Sequence, residues 1–204
     1  MTHDMKITKL LRAIVIASAF IASSLAHAAL DVEGVAFEDT ETVANTKLLR
    51  NGASVSTMLS AKATAVGLYM TQRQATMETA MAQKGAKRVR VVALREISAK
   101  DLATVLLDRI KQNASRDEIE NNVLQFAALG GAFSSRSKLA KGDVVTLDYV
   151  PTNQTTEIRV NGELTGQPIM GDAFYPVLMK VWIGPKVRGA TRDALLGGSE
   201  HPAK

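Results

Sequence analysis

From Gly142 to Gly184, apolar and polar positions follow a pattern that predicts extended strands running into a helix. Val145, Leu147 and Tyr149 alternate with Val144, Thr146 and Asp148. A loop of Pro151, Asn153 and two threonines follows, and Ile158 and Val160 resume the period of two. Asn161-Gly162 has the composition of a tight hairpin turn. After one more short extended piece, Asp172 is placed to cap a helix whose Phe174, Val177, Leu178, Val181 and Trp182 fall on one stripe, ended by Gly184-Pro185.

The same logic runs along the rest of the chain. Leu30 to Phe37 and Thr46 to Asn51 read as strands joined by an acidic turn (Glu38, Asp39, Glu41) with the composition of a solvated loop, and Asn51-Gly52 reads as a chain reversal. Val55 to Met70 is long, extended and rich in small residues, and Gly67 marks a bend or a close approach. Gln74 to Gln83 is helical, and Lys87 to Arg95 is a strand with Arg88 and Arg90 on one solvent-facing side. Ser98 with Asp101 starts a helix lined by Leu102, Val105, Leu106 and Ile110. Ser115 with Glu118 forms a capping box for another, faced by Ile119, Val123 and Phe126 and stopped by Gly130-Gly131. A short helix from Arg188 to Leu196 completes the domain. This order predicts an α+β fold, an open-faced sandwich in which a largely antiparallel sheet carries a layer of helices on one face.

Composition changes the picture mainly at the N-terminus. Lys6, Lys9 and Arg12 precede an apolar run from Ala13 to Leu25, and Ala26-His27-Ala28 is a small-x-small cleavage site. Residues 1–28 therefore read as a secretory signal peptide, cleaved after Ala28, and 29–204 as one domain delivered to the periplasm. Part of the formal charge of +5 belongs to that leader. Export and the few aromatics near the basic stretch 84–95 argue against nucleic acid. With no cysteine, and with His3 and His27 lost on cleavage so that only His201 remains of the three histidines, thiol chemistry, histidine-ligated metals and Ser-His-Asp triads drop out. No metal and no cofactor are expected.

Several segments carry a family resemblance: the N-G-A-x-V turn (Asn51, Gly52, Ala53, Val55), the strand ending G-L-Y (Gly67 to Tyr69), the G-D-x-V-x-L-x-Y-V-P strand from Gly142, the N-G hairpin and the helix ending W-I-G. Together they resemble the chalcone isomerase-like family, in particular its exported bacterial branch. The isomerases of that family close a phenol onto an enone, which requires a cation for the phenolate and donors for the enolate. The resemblance places Ser56 where those enzymes carry arginine, which removes a fixed charge and a bidentate fork. Thr64 matches a threonine that holds a catalytic water. Asn113 matches an asparagine whose tyrosine companion falls at Leu106, and a last threonine falls near Leu164 or Thr165. Tyr69, Tyr149 and Tyr175 are further phenols, expected to be packed with their hydroxyls wet, and Arg90 and Arg159 could supply a cation from a neighbouring strand.

The resulting expectation is a non-catalytic exported protein that holds a small amphiphilic or aromatic ligand, such as a fatty acid, between sheet and helices, using Ser56, Thr64, Tyr69, Asn113 and Thr165. The first alternative is an intramolecular lyase of the chalcone isomerase type, with Thr64 and Asn113 catalytic. The second is a periplasmic interaction module with a membrane-surface or protein partner. Fold does not by itself carry chemistry.

Overall fold

The computed structural model describes residues 29–58, 60–134 and 136–198. The signal peptide read in residues 1–28, and His201, lie outside them. Twelve strands and six helices are formed among the described residues. In chain order these are β1 (Leu30–Val32), β2 (Val35–Phe37), β3 (Thr40–Val43), β4 (Thr46–Met58), β5 (Ala61–Met70), α1 (Met77–Ala82), β6 (Lys87–Ala93), β7 (Ile97–Ser98), α2 (Ala99–Asn113), α3 (Arg116–Glu120), α4 (Val123–Ala132), β8 (Lys138–Leu139), β9 (Val144–Val150), β10 (Thr155–Val160), β11 (Glu163–Leu164), β12 (Ile169–Met170), α5 (Phe174–Ile183) and α6 (Gly189–Leu195).

The main sheet is antiparallel throughout, in the order β11-β10-β9-β6-β5-β4-β3 with β12 paired to β10. It curls into a half-barrel with helices on one face, an α+β open-faced fold. Helix α5 lies in the centre of the helical layer against α1, α2 and α6, and α6 lies on β4. Its burial is nearly complete all round, from Phe174 through Ile183, so the expected stripe widens into a core helix. The far face of the sheet has its own smaller core, in which Phe37, Val43, Leu48, Ala65, Tyr69 and Val92 pack under the β1–β2 hairpin. Gly67 is where Phe37 comes closest: an added Cβ would sit 2.5 Å from its ring.

Local signals form what they predict where they are self-sufficient. Asn161 and Gly162, at φ 52° and 87°, make the tight turn between β10 and β11. Ser115 accepts from the Glu118 N–H at 3.2 Å while the Glu118 carboxylate accepts from the Ser115 N–H at 2.7 Å. Elsewhere tertiary contacts prevail. Asn51-Gly52 does not reverse the chain; β4 runs straight through it, with Asn51 the extra residue of a bulge opposite β5. The reversal comes after Met58, where Met58 pairs with Ala61. Helix α6 sits directly on the bulge: a Cβ at Gly52 would stand 2.0 Å from the Ala194 carbonyl oxygen.

Three further expectations give way. The helix begun at Ser115 breaks at Asn121–Asn122, where the Asn122 amide donates to the Glu118 carbonyl at 2.8 Å. Helix α4 then starts afresh at Val123, which is left exposed, and carries Gly130-Gly131 inside its last turns. Helix α5 is preceded by Ala173 in the capping position, without a side-chain cap, so Asp172 does not serve there. The acidic stretch is strand β3 and its approach, not a solvated loop. Asp39 pairs with the buried Arg50 at 2.8 Å, and Glu41 with Arg88 at 2.6 Å. Arg88 also grips the buried Asp148 with two bonds of 2.6 Å, so this side of the strand is an ion-pair network.

Candidate functional site

Helix α2 owes its start to the Ser98 hydroxyl, which accepts from the Asp101 N–H at 3.3 Å, and its anchoring to Leu102, Ala103, Leu106 and Ile110, all buried. One turn before its end, at the spacing that continues Leu102 and Leu106, this buried face carries Arg109. Nη1 of Arg109 donates to the Ser56 Oγ at 2.8 Å, and Nη2 donates to the Thr57 carbonyl. No carboxylate pairs with it among the described residues. Burial, with no charge partner to offset it, pulls the guanidinium below its ordinary range.

Asn113 completes the corner. Its amide donates to the Arg109 carbonyl at 2.8 Å, and its Oδ1 accepts from the Lys186 N–H at 2.7 Å. That second bond requires Gly184, because a Cβ there would lie 2.5 Å from the Asn113 Oδ1. The glycine of the W-I-G ending thus makes room for the asparagine. From α6, the Thr191 hydroxyl donates to the Val55 carbonyl at 3.1 Å. Between these elements lies a cavity of about 130 Å³, lined by Ser56, Arg109, Asn113, Lys186, Arg188 and Thr191 among others. Three cationic side chains and no carboxylate line it, a surface suited to an anionic group.

The sequence-predicted residues divide. Ser56 and Asn113, both buried, line this cavity. Thr64 is buried directly opposite Ser56 in the β4–β5 register, one strand in from the cavity wall. Tyr69 belongs to the core on the far face of the sheet, fully buried, its hydroxyl without a hydrogen-bond partner. Burial, and then the neighbouring Glu41, push that hydroxyl well above the usual phenol range. Thr165 follows β11, at the sheet edge opposite to the one where β4 lies, and its hydroxyl meets the Glu163 carbonyl at 3.4 Å. Tyr175 is not wet at its tip: its hydroxyl donates to the Leu147 carbonyl at 2.8 Å inside the core. Arg159 pairs with Glu157 at 2.7 Å, and Arg90 with Glu41 at 3.6 Å, so neither brings a cation to Ser56.

That cation is Arg109, which the sequence reading passed over. Its signal was present: a charged residue at the position where an otherwise apolar helical stripe should continue, four residues before Asn113. Among the described residues no group of three or more histidine, cysteine or acidic side chains is placed to hold a metal ion.

No curated protein matches the chain in sequence. Among solved structures, a fatty-acid binding protein of Arabidopsis thaliana is similar in fold, with a TM-score of 0.61, 13% identity, and coverage of 81% of this chain and 93% of that one. The family model described as chalcone isomerase-like matches residues 29–197, which takes in both the sheet and every helix lining the Arg109 cavity. The chain therefore belongs to the chalcone isomerase-like family.

Proposed function

We propose that this is an exported, periplasmic binding protein that holds a small amphiphile by its anionic head, with Arg109 as the principal ligand and Ser56 as its positioning partner. One observation carries the reading. A half-buried guanidinium without a carboxylate partner stands at the wall of a cavity whose other charges are also positive. A carboxylate head would give Arg109 a counter-ion and turn a desolvation cost into a charge-assisted bond. The fatty-acid binding role named for the Arabidopsis neighbour supports a fatty acid as the ligand class. At about 130 Å³ the cavity holds a head group, whereas whole ligands of this kind need ~300 Å³ or more. The tail therefore requires α2 and α6 to part, or lies over the lip.

The second reading, an intramolecular lyase, is favoured by the same arginine. It reaches Ser56, the position where the related isomerases carry theirs, with Thr64 directly opposite. The two readings separate in a single series. Delipidated protein is titrated with dodecanoate and with dodecanol, and then assayed for cyclisation of a hydroxychalcone. The binding reading predicts dodecanoate favoured over dodecanol and an Arg109→Gln variant weaker by ~10-fold or more, the scale of one lost charge-assisted bond. Equal binding of acid and alcohol, or an undiminished Arg109→Gln variant, refutes the head-group assignment. Cyclisation abolished by Thr64→Ala establishes the lyase instead.

A further inference from the structure

Arg50, Lys87 and Asp148 are charged residues buried to below 5% exposure. Arg50 meets Asp39 and Asp148 meets Arg88, but no carboxylate pairs with Lys87 among the described residues. The Lys87 Nζ donates instead to the Gln83 carbonyl at 2.5 Å and the Gly85 carbonyl at 3.5 Å, and stands 5.5 Å from the centre of the Tyr149 ring. The same side chain lines a cavity of about 300 Å³ where the α1–β6 turn, the β9–β10 turn and the first turn of α5 meet. Met81, Tyr149, Pro151 and Pro176 are its apolar lining, and Gln83, Lys84, Gln154 and Asp172 make the rest of the wall polar. This cavity shares no lining residue with the one at Arg109.

The ionisable groups facing Lys87 are few. Lys84 comes from the α1–β6 turn, Tyr149 from β9, and Asp172 and Tyr175 from the start of α5, while its partner on β5, Met70, is uncharged. Burial raises both phenols, with Asp172 adding to the rise at Tyr149, so they stay neutral. Burial first, and then the positive charge of Lys84, lower the Lys87 amine from 10.5 to about 8. At neutral pH roughly a tenth of such an amine carries a free lone pair, against fewer than about one in a thousand for an ordinary lysine.

We propose that Lys87 is a covalent binding site for carbonyl compounds, forming a Schiff base with a small aldehyde or ketone seated in this cavity. The amine lone pair adds to the carbonyl carbon, and the C–N bond forms as the C=O pair moves to oxygen. A proton passes from nitrogen to oxygen, giving a carbinolamine. Loss of the hydroxyl together with the remaining N–H hydrogen, as water, then leaves the C=N bond. Desolvated lysines beside a second cation are the ones that perform this addition near neutrality.

Benzaldehyde with cyanoborohydride tests it, since hydride delivery to the imine fixes the adduct as a benzylamine that peptide mass mapping can locate. The expected result at pH 7 is one dominant adduct, on Lys87, formed ~10-fold or more faster than on the exposed Lys62, Lys100 or Lys138, as the larger free-amine fraction requires. The Lys87 rate should rise with pH to a midpoint near 8. Lys84→Gln should move that midpoint upward by removing the neighbouring positive charge. Lys87→Arg should abolish the dominant adduct and leave the others. Labelling that favours the exposed lysines, or a midpoint indifferent to Lys84→Gln, overturns the proposal. Mapping of the unmutated protein decides the first of these even if the arginine variant does not fold.

Discussion

Replacing Lys87 by methionine should stabilise the protein at neutral pH, although it deletes two hydrogen bonds. Lys87 is 3% exposed and the proton affinity of its amine has fallen from 10.5 to about 8. At ~1.4 kcal/mol for each tenfold change in proton affinity, the charged amine disfavours the folded state by about 3 kcal/mol at pH 7. Methionine keeps the length and the apolar stem beside Tyr149 and removes the charge. It also leaves the Gln83 and Gly85 carbonyls without this donor, at a cost of about 1 kcal/mol in all, since turn carbonyls are partly reached by water. The net gain at pH 7 is about 2 kcal/mol, or a rise of ~4 to 8 °C in the melting temperature for a domain of this size.

The pH dependence fixes the interpretation. The folded-state value lies below the unfolded one, so between pH 8 and 10.5 the unfolded chain holds a proton that the folded chain has released. Stability of the unmutated protein therefore rises with pH through this window, by about 2 kcal/mol from pH 7 to 9.5. The methionine variant lacks that rise, and groups common to both proteins cancel in the difference. Its advantage should vanish near pH 9.5 to 10. Urea unfolding followed by the fluorescence of Trp182, the single tryptophan of the sequence and buried in α5, reads this directly. A variant less stable than the parent at pH 7, by a margin that does not change with pH, would refute the reasoning and show that the two carbonyl bonds outweigh the desolvation.

Gly52→Ala should cost about 3 kcal/mol or more, since its Cβ would stand 2.0 Å from the Ala194 carbonyl oxygen and the backbones of β4 and α6 must separate. The cost should appear as a lower unfolding midpoint and as faster proteolysis within α6, and an unchanged midpoint would mean that α6 is not seated on this bulge. Asp148→Asn should cost ~3 to 5 kcal/mol, because it removes the carboxylate that grips Arg88 with two bonds of 2.6 Å. Burial alone would lower the Arg88 guanidinium, but the bonds to Asp148 and Glu41 raise it above its ordinary value, so the charge stays and must find another partner. A loss below about 1 kcal/mol would show that Glu41 alone suffices for Arg88.

What the sequence disclosed and what it hid follow the range of the interactions. The capping box at Ser115, the hairpin at Asn161-Gly162 and the start of α2 at Ser98 are set within four residues, and all three could be read directly. Asn51-Gly52 has the same composition as the later hairpin, yet here the partner that matters is α6, far along the chain, which no local rule can see. The break at Asn122 was hidden because a side chain competing for a helix carbonyl has no signature in hydrophobic period. At the site, Ser56 and Asn113 came from resemblance, and the structure places both in one cavity. Arg109 was missed because an arginine on a helix usually faces water, and only the tertiary placement of α2, which brings this side chain to Ser56 and Thr57 of β4, turns it inward. Tyr69 stands five residues from Thr64 on an unbroken stretch of β5, an odd separation that puts the two on opposite faces, so the alternation of β5 itself parts Tyr69 from the Ser56–Thr64 side.

The Asn51 side chain has one more consequence, for the order in which the chain assembles. Its amide donates to the Gln74 carbonyl at 3.0 Å and to the Leu195 carbonyl at 2.7 Å, across a separation of 144 residues. Nearly the whole length of the domain lies inside the loop which that second bond closes, and such closures are entropically among the last to form. Whatever machinery delivers the polypeptide N-terminus first, β4 must wait with its bulge unclamped until α6 arrives. Premature collapse onto an incomplete sheet is thereby denied its final fastening, and the finished molecule is latched by its own last helix.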